Sequence, residues 1–267
     1  MSKQVKVYAS EGSCHWYTKE GDAKYEVERK DGKGMRNTRV TDARTMNLLP
    51  SVTTVMKQFA KDGVNEWILN HYLKYIQEKQ ITGCGMELYE FKSLLKKAID
   101  PIMNQGRDEG TEIHKAVERY LTEGILEGTD KHKSIAEAVK SEITGYSESL
   151  LEYECEKSHA NTRLGYGGAI DIRAFTLTMD ELFIFDVKTT SEKQFDKLMK
   201  KPYTDWLCQL VAYEGFFNAT HRLVSVIVSR ETGRVGSYEW ADVKQNGAYW
   251  EKWKHALKIF KIDNKLV

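Results

Sequence analysis

Two apolar runs, GGAIDIRAF (167–175) and LFIFDVKTT (182–190), each hold an aspartate in their interior, Asp171 in the first and Asp186 in the second. Their β-branched and aromatic residues, and the polar break at 178–180 between them, predict a hairpin of two strands. A hairpin symmetric about that break has its midpoint at 178.5, which sets Asp171 opposite Asp186. Side chains alternate along a strand, so Asp186 and Lys188 share one face while Phe183, Phe185 and Val187 point to the other.

An acid inside an apolar strand is costly unless something compensates its lost hydration. Two facing carboxylates also repel each other, and a hard divalent cation such as Mg²⁺ between them accounts for their proximity. A cation of that kind polarises phosphate oxygens and acidifies water. Lys188 is then placed to orient or deprotonate a water and to stabilise charge developing on a phosphate. Gly165, Gly167 and Gly168, just upstream, read as room for a ligand to approach the backbone.

Around the hairpin, periodicity lays out the rest of the chain. The first fifty residues mix short β-type runs (VKVYAS, HWYT, KYEVER) with the turn signal Asp31-Gly32-Lys33-Gly34 and read as an edge or lid. Helical spacing follows over 64–80 and 86–99, separated by Thr82-Gly83-Cys84-Gly85. Pro101 reads as the opening and Gly124 as the close of a third helix, 101–123, and a fourth is predicted over 133–151. YECEKSHA (153–160) and the two acid-bearing runs make three strands. A helix over 203–218, strands at 223–230 and 234–240 and a helix over 241–262 complete the order. The expectation is one α/β (α+β) domain, 1–267, with a mixed central β-sheet flanked by helices: a β-rich extension (1–50), a helical part (51–151) and a sheet-bearing part (152–267).

Forty basic residues against 39 acidic ones give a net charge of +1, which removes the general argument for a polyanion binder. Any nucleic-acid contact must rest on local charge, and Lys193, Lys197, Lys200 and Lys201 after the hairpin are the candidates. Cys14, Cys84, Cys155 and Cys208 stand far apart without a CxxC pair, so reduced thiols are expected. The start MSKQVKVYASEG has no apolar core of signal-peptide length, and no run approaches the roughly 18 apolar residues of a membrane helix. A cytoplasmic protein without membrane contact is expected.

Taken together, GYGGAID, FDVKTT and QLVAY resemble the PD-(D/E)XK nuclease superfamily, in the branch of RecB-type nuclease domains and phage recombination exonucleases. The G-x3-H-x3-E pattern of that branch is matched by Gly110, His114 and Glu118 in GTEIHKAVERYL. LPSVTTV (49–55), followed by a helix bearing Trp67, resembles the entry segment of its phage members. The resemblance spans roughly residues 49–219 and implies a restriction-endonuclease-like core. It implies Asp171, Asp186 and Lys188 as catalytic residues, with Mg²⁺ or Mn²⁺ held by His114, Asp171, Asp186 and the backbone carbonyl of Val187. Gln209 and Tyr213, on one helical side, would brace the catalytic face and contact nucleic acid, with Glu118 and Glu156 in supporting roles. Glu152 and Glu154 share the strand face of Glu156 and compete with it for that assignment.

Some relatives in the branch carry a four-cysteine iron–sulfur cluster. Here the cysteine spacing does not supply one, so none is expected. The expected activity is a DNA exonuclease in recombination or end processing, with DNA as substrate and a single-strand annealing or binding protein as a candidate partner. A structure- or sequence-dependent endonuclease and a catalytically silent nucleic-acid-binding module are the alternatives.

Overall fold

The computed structural model describes residues 15–59, 62–81, 85–149 and 151–266. The VKVYAS run, Cys14 and Cys84 lie outside them. The N-terminal extension is a set of small β-units. β1 (Trp16–Tyr17) pairs with β4 (Leu49–Pro50), and β2 (Glu26–Glu28) pairs with β3 (Met35–Asn37) across the expected turn, both antiparallel. Gly32 and Gly34 hold that turn at φ 69° and 94°, in the left-handed region where a side chain would be strained. α1 (Val40–Met46) starts where the Asp42 carboxylate accepts from the Arg39 amide, and α2 (Val52–Met56) starts where Ser51 Oγ accepts from the Thr54 amide.

α3 (Asp62–Lys79) matches the first predicted helix. The next two do not stay separate. α4 (Leu88–Glu123) runs 36 residues with Pro101 inside it, so Pro101 does not open a helix. Proline there forfeits one amide donor and crowds the carbonyl four residues back, at a cost of about 3 kcal/mol, but its fixed φ is already helical. The C-terminal half of α4 absorbs that cost by burying Ile113, Ala116, Val117 and Leu121. Gly124 closes the helix at φ 71°, as its position predicts. α5 (Asp130–Thr144) ends at Gly145 rather than reaching 151, because Leu151 already belongs to the sheet.

The main sheet has five strands in sequence order: β5 (Leu151–Asn161), β6 (Tyr166–Thr176), β7 (Leu182–Thr190), β8 (Arg222–Ser229) and β9 (Val235–Glu239). All pairs are antiparallel except β7–β8. A parallel pair needs a long crossover, supplied by α6 (Glu192–Lys200) and α7 (Thr204–Glu214). α6 was not expected from the lysine-rich sequence. It forms because Phe195 and Leu198, three residues apart, bury against Ile227 of β8. α8 (Val243–Asp263) ends the order.

The fold is a mixed α/β one with a central sheet between two helical layers. α4 and α5 pack with Phe183, Phe185 and Val187 of β7 on one face. On the other, α7 and α8 pack with Ile184 and Ile170, and the N-terminal Trp16 and Val52 join them. Among the described residues no helix is long and apolar enough to cross a membrane.

Candidate functional site

The four observed β6–β7 pairs, from Phe175↔Leu182 to Ile172↔Phe185, share the midpoint read from the sequence. The next pair would be Asp171 with Asp186, and there the ladder stops. Instead of a strand-to-strand bond, the Val187 amide donates to Asp171 Oδ2 at 2.8 Å. The parting coincides with a change of face in β6. Tyr166 and Ile170 pack on the α7–α8 side, whereas Ile172 and Ala174 pack on the α4–α5 side. A regular strand keeps residues two apart on one face, so the strand rotates at Asp171. Its neighbour in β5 is distorted at the same level: Glu156, next to Cys155↔Ile172, has φ 49°, unusual for a residue with a side chain.

α4 delivers the third group. Gly110 lets it approach β7 closely, since a Cβ there would lie 3.0 Å from Thr189 Oγ1. One turn on, His114 Nδ1 lies 3.7 Å from both Glu156 Oε1 and Asp171 Oδ2. Donor atoms of His114, Glu156 and Asp171 all fall within 4.8 Å of one another. Asp186 stands beside this trio, fully buried, and Lys188 Nζ is 2.7 Å from its Oδ2, a buried ion pair. The lysine also donates to Gln209 Oε1 at 3.0 Å, and Gln209 Nε2 donates to the Tyr213 hydroxyl at 2.8 Å. Gln209 and Tyr213 are four residues apart on α7, which puts both on the side facing β7.

The electrostatics follow from this crowding. Burial alone would discharge His114, but the Asp171 and Glu156 carboxylates outweigh it and raise the imidazole to about 9. Burial raises the Asp186 carboxyl to about 6, with Asp171 adding to the shift and Lys188 opposing it. Asp171 is also raised, by burial and Glu156, against the pull of His114, Lys188 and the Val187 amide. Burial and the two aspartates push the Tyr213 phenol well above its ordinary range. The His114 imidazole and the Glu156 and Asp171 carboxylates, with the buried Asp186 carboxylate beside them, are a donor set of the kind a small divalent cation such as Mg²⁺ or Mn²⁺ satisfies.

Several sequence readings change. Glu156, a supporting candidate, sits in the innermost group, while Asp186 lies outside that trio. The left-handed backbone at 156 separates it from its rivals. Glu154 pairs with Arg173 at 3.0 Å and Glu152 is exposed. Glu118, one turn beyond His114, is not in the trio. The Val187 amide serves Asp171 and its side chain lies in the apolar core, contacts that leave the expectation of its carbonyl as a metal ligand as it stood. The room at Gly167 and Gly168 is taken by the protein itself. A Cβ on Gly167 would strike Tyr17 at 2.7 Å, and one on Gly168 would meet Tyr213 at 3.1 Å. Lys193, Lys197, Lys200 and Lys201 lie exposed on or beside α6.

The sequence reading also missed the N-terminal aromatics. Tyr17 lies over Gly167, and its hydroxyl is 2.6 Å from that of Tyr25. Both phenols are raised, chiefly by burial, with the Glu156 carboxylate contributing to each. Short strands of two or three residues carry too little periodicity to reveal this placement.

No protein-family model and no curated protein matches this chain. Among solved structures, the crystal structure of SSO0001 is similar at 13% identity, over 57% of this chain and 74% of that one, with a TM-score of 0.26. A likeness at that score assigns neither fold nor function.

Proposed function

We propose that this chain is a divalent-metal-dependent deoxyribonuclease, and that it works from DNA ends as an exonuclease. The observation that carries the reading is the gathering of His114, Glu156 and Asp171 where the β6–β7 ladder opens, with the buried Asp186–Lys188 pair beside them. Asp171, Glu156, Asp186 and His114 would hold Mg²⁺ or Mn²⁺, which when bound supplies Lewis-acid polarisation of the phosphate and a more acidic water. Asp171 is held in place by the Val187 amide. Lys188 is aimed by Gln209 and Asp186 and sets its ammonium against the charge that develops on the phosphate. Gln209 in turn is fixed by Tyr213, so the lysine is oriented before substrate arrives. The Asp171 and Glu156 carboxylates raise the His114 imidazole to about 9, so to serve as a ligand it would have to lose a proton, and metal binding would be linked to proton release.

The choice of DNA, of ends and of a recombination setting with a single-strand annealing or binding protein rests on the sequence resemblance. Purified protein with Mg²⁺ or Mn²⁺ is expected to degrade linear DNA and spare closed circles. Lys188→Ala should lower the rate by about 10²–10³. In calorimetry, Asp171→Ala should lose the Mn²⁺ binding seen in the parent. Cutting of closed circles would move the reading to an endonuclease, and a parent inert on every DNA and RNA form with either metal would end it.

A further inference from the structure

The crossover between β7 and β8 sorts its charges. On α6, Glu192 and Asp196 are both engaged by Arg234, at 2.6 and 2.8 Å. Phe195 and Leu198 bury against Ile227, so Lys193, Lys197 and Lys200, at steps of four and three residues, line the outward face of the helix, and Lys201 follows at its end. Among the described residues none of these four exposed lysines has an acid within ion-pair range, which leaves a positive stripe on a protein of net charge +1. Tyr203 stands beside the stripe. Buried Pro202 restricts the backbone that enters it, and its hydroxyl donates to Gln194 Oε1 of α6 at 3.1 Å. Its ring makes a T-shaped contact with Trp206, with centroids 5.5 Å apart and planes at 89°. A contact of that shape covers at most one of the ring's two faces, and Tyr203 is 50% exposed. Trp206 itself packs against Phe195 and Leu198, so the open ring is held in place. From Tyr203 to Gln209, which accepts from Lys188, α7 advances six residues, about 9 Å along its axis.

We infer that this corner of α6 and α7 is a docking surface for single-stranded DNA, with Tyr203 stacking on a base and Lys193, Lys197, Lys200 and Lys201 holding the phosphates around it. The inference rests on the nuclease reading, in which the surface carries the strand that adjoins the phosphodiester being cut. Charge complementarity selects the partner. Four cations whose neighbouring acids are engaged by Arg234 attract a polyanion, and the polyanion sheds counterions on binding. The exposed ring then selects single strand over duplex, because an unpaired base offers a π-face that a closed duplex keeps stacked inside. Cations that follow the backbone beside an aromatic that receives a base are the two components of single-strand grooves. The tie from Tyr203 to Gln194 sets the ring before a strand arrives, which lowers the entropy lost on stacking.

The test uses the full chain, fluorescein-labelled single-stranded dodecanucleotides and the matching blunt duplex, with binding read by anisotropy on the Lys188→Ala background to prevent turnover. Tyr203→Leu is expected to raise the single-strand Kd about tenfold and to leave the duplex Kd within about twofold, while Tyr203→Phe, which keeps the ring, should bind as the parent does. Lys197→Gln combined with Lys200→Gln should lower the slope of log Kd against log salt by about 1.4, as expected for two lost phosphate contacts on a single strand. Because Tyr203 is exposed, its variants should keep the parent's urea midpoint. An unchanged single-strand Kd in Tyr203→Leu, an equal loss for both DNA forms, or an unchanged salt slope in the lysine variant would overturn the surface. So would a Tyr203→Phe protein as weak as Tyr203→Leu, since the Gln194 contact would then be what matters. None of these results touches the nuclease reading while the unsubstituted chain still cleaves linear DNA. A chain that binds single strands as expected yet cleaves nothing would end that reading and keep the surface.

Discussion

The two halves of the β6–β7 hairpin are built from similar residues and do opposite things. In the half nearer the turn, Ile172 to Phe175 pair in register with Leu182 to Phe185, and Phe183 and Phe185 stack with centroids 5.6 Å apart inside the α4–α5 core. One residue further on, pairing ceases, β6 rotates, and a buried carboxylate paired with Lys188 replaces the aromatic. The apolar half gains from burial and from a complete ladder. The acidic half gives up ladder bonds and hydration, and that loss is what leaves the Val187 amide free to hold Asp171 and leaves carboxylates pointed at a common space. Stability and site are thus separated by a single step along one hairpin, which is the pattern expected where local strain serves chemistry.

Breaking the apolar half should have the largest effect. Phe185→Ala empties a site with no exposure that touches Phe183 and Tyr146, so a loss of about 3–5 kcal/mol is expected in urea unfolding. A loss below about 1 kcal/mol would mean that the hairpin's apolar half does not anchor the fold.

The acidic half should respond in the opposite sense, through pH. Asp186 rises from 3.8 to about 6 on folding, so the folded state favours its protonated form, and its contribution to stability is lost as pH rises from about 4 through 6. His114 rises from 6.5 to about 9, so its contribution is complete below 6.5 and is lost as pH rises through 9. Both run the same way. In EDTA these two groups should pull the thermal midpoint down with rising pH, against the opposite pull of His221, lowered to about 4, below pH 6.5; the midpoint of the parent relative to Asp186→Asn should therefore fall through pH 4–6, and relative to His114→Gln through pH 6.5–9. Saturating Mg²⁺ should raise the midpoint more at pH 8 than at pH 5, because the cation competes with the protons. Slopes that neither variant alters would show that these groups do not titrate as the crowding of charges implies.

Much of this contrast could be read in the sequence, and the unread part has a physical reason. The turn and the alternation were enough to give the hairpin's register up to Ile172 and Phe185 and to put Lys188 beside Asp186, because strand periodicity and hairpin symmetry are local rules. The point where the ladder stops is not local. It depends on α4 bringing His114 against both strands and on β5 taking a left-handed residue at Glu156, and neither is written in a strand's own pattern. For the same reason Pro101 misled: its effect on a helix depends on how firmly the turns beyond it are packed, and Ile113 and Val117 decide that through the sheet. α6 escaped notice because only Phe195, Leu198 and Met199 mark its buried side among lysines and acids.

The smallest effect tests whether the acidic half works as a unit. Lys188, Gln209 and Tyr213 form a chain in which each group is oriented by the next, with Gln209 buried at its centre. If the chain's purpose is to aim the lysine, removing either end of the Gln209–Tyr213 contact should misaim it to a similar degree. Gln209→Leu and Tyr213→Phe should each lower kcat about fivefold, the equivalent of one hydrogen bond of about 1 kcal/mol. The double variant should then lose little more than either single one, giving a coupling energy of about 1 kcal/mol in the cycle. Strictly additive losses would mean that Gln209 and Tyr213 act separately, the glutamine on Lys188 and the tyrosine on the aspartates whose charge its phenol already senses. In that case the acidic half would be two independent devices that share a strand opening, and the comparison with the cooperative apolar half would hold more sharply still.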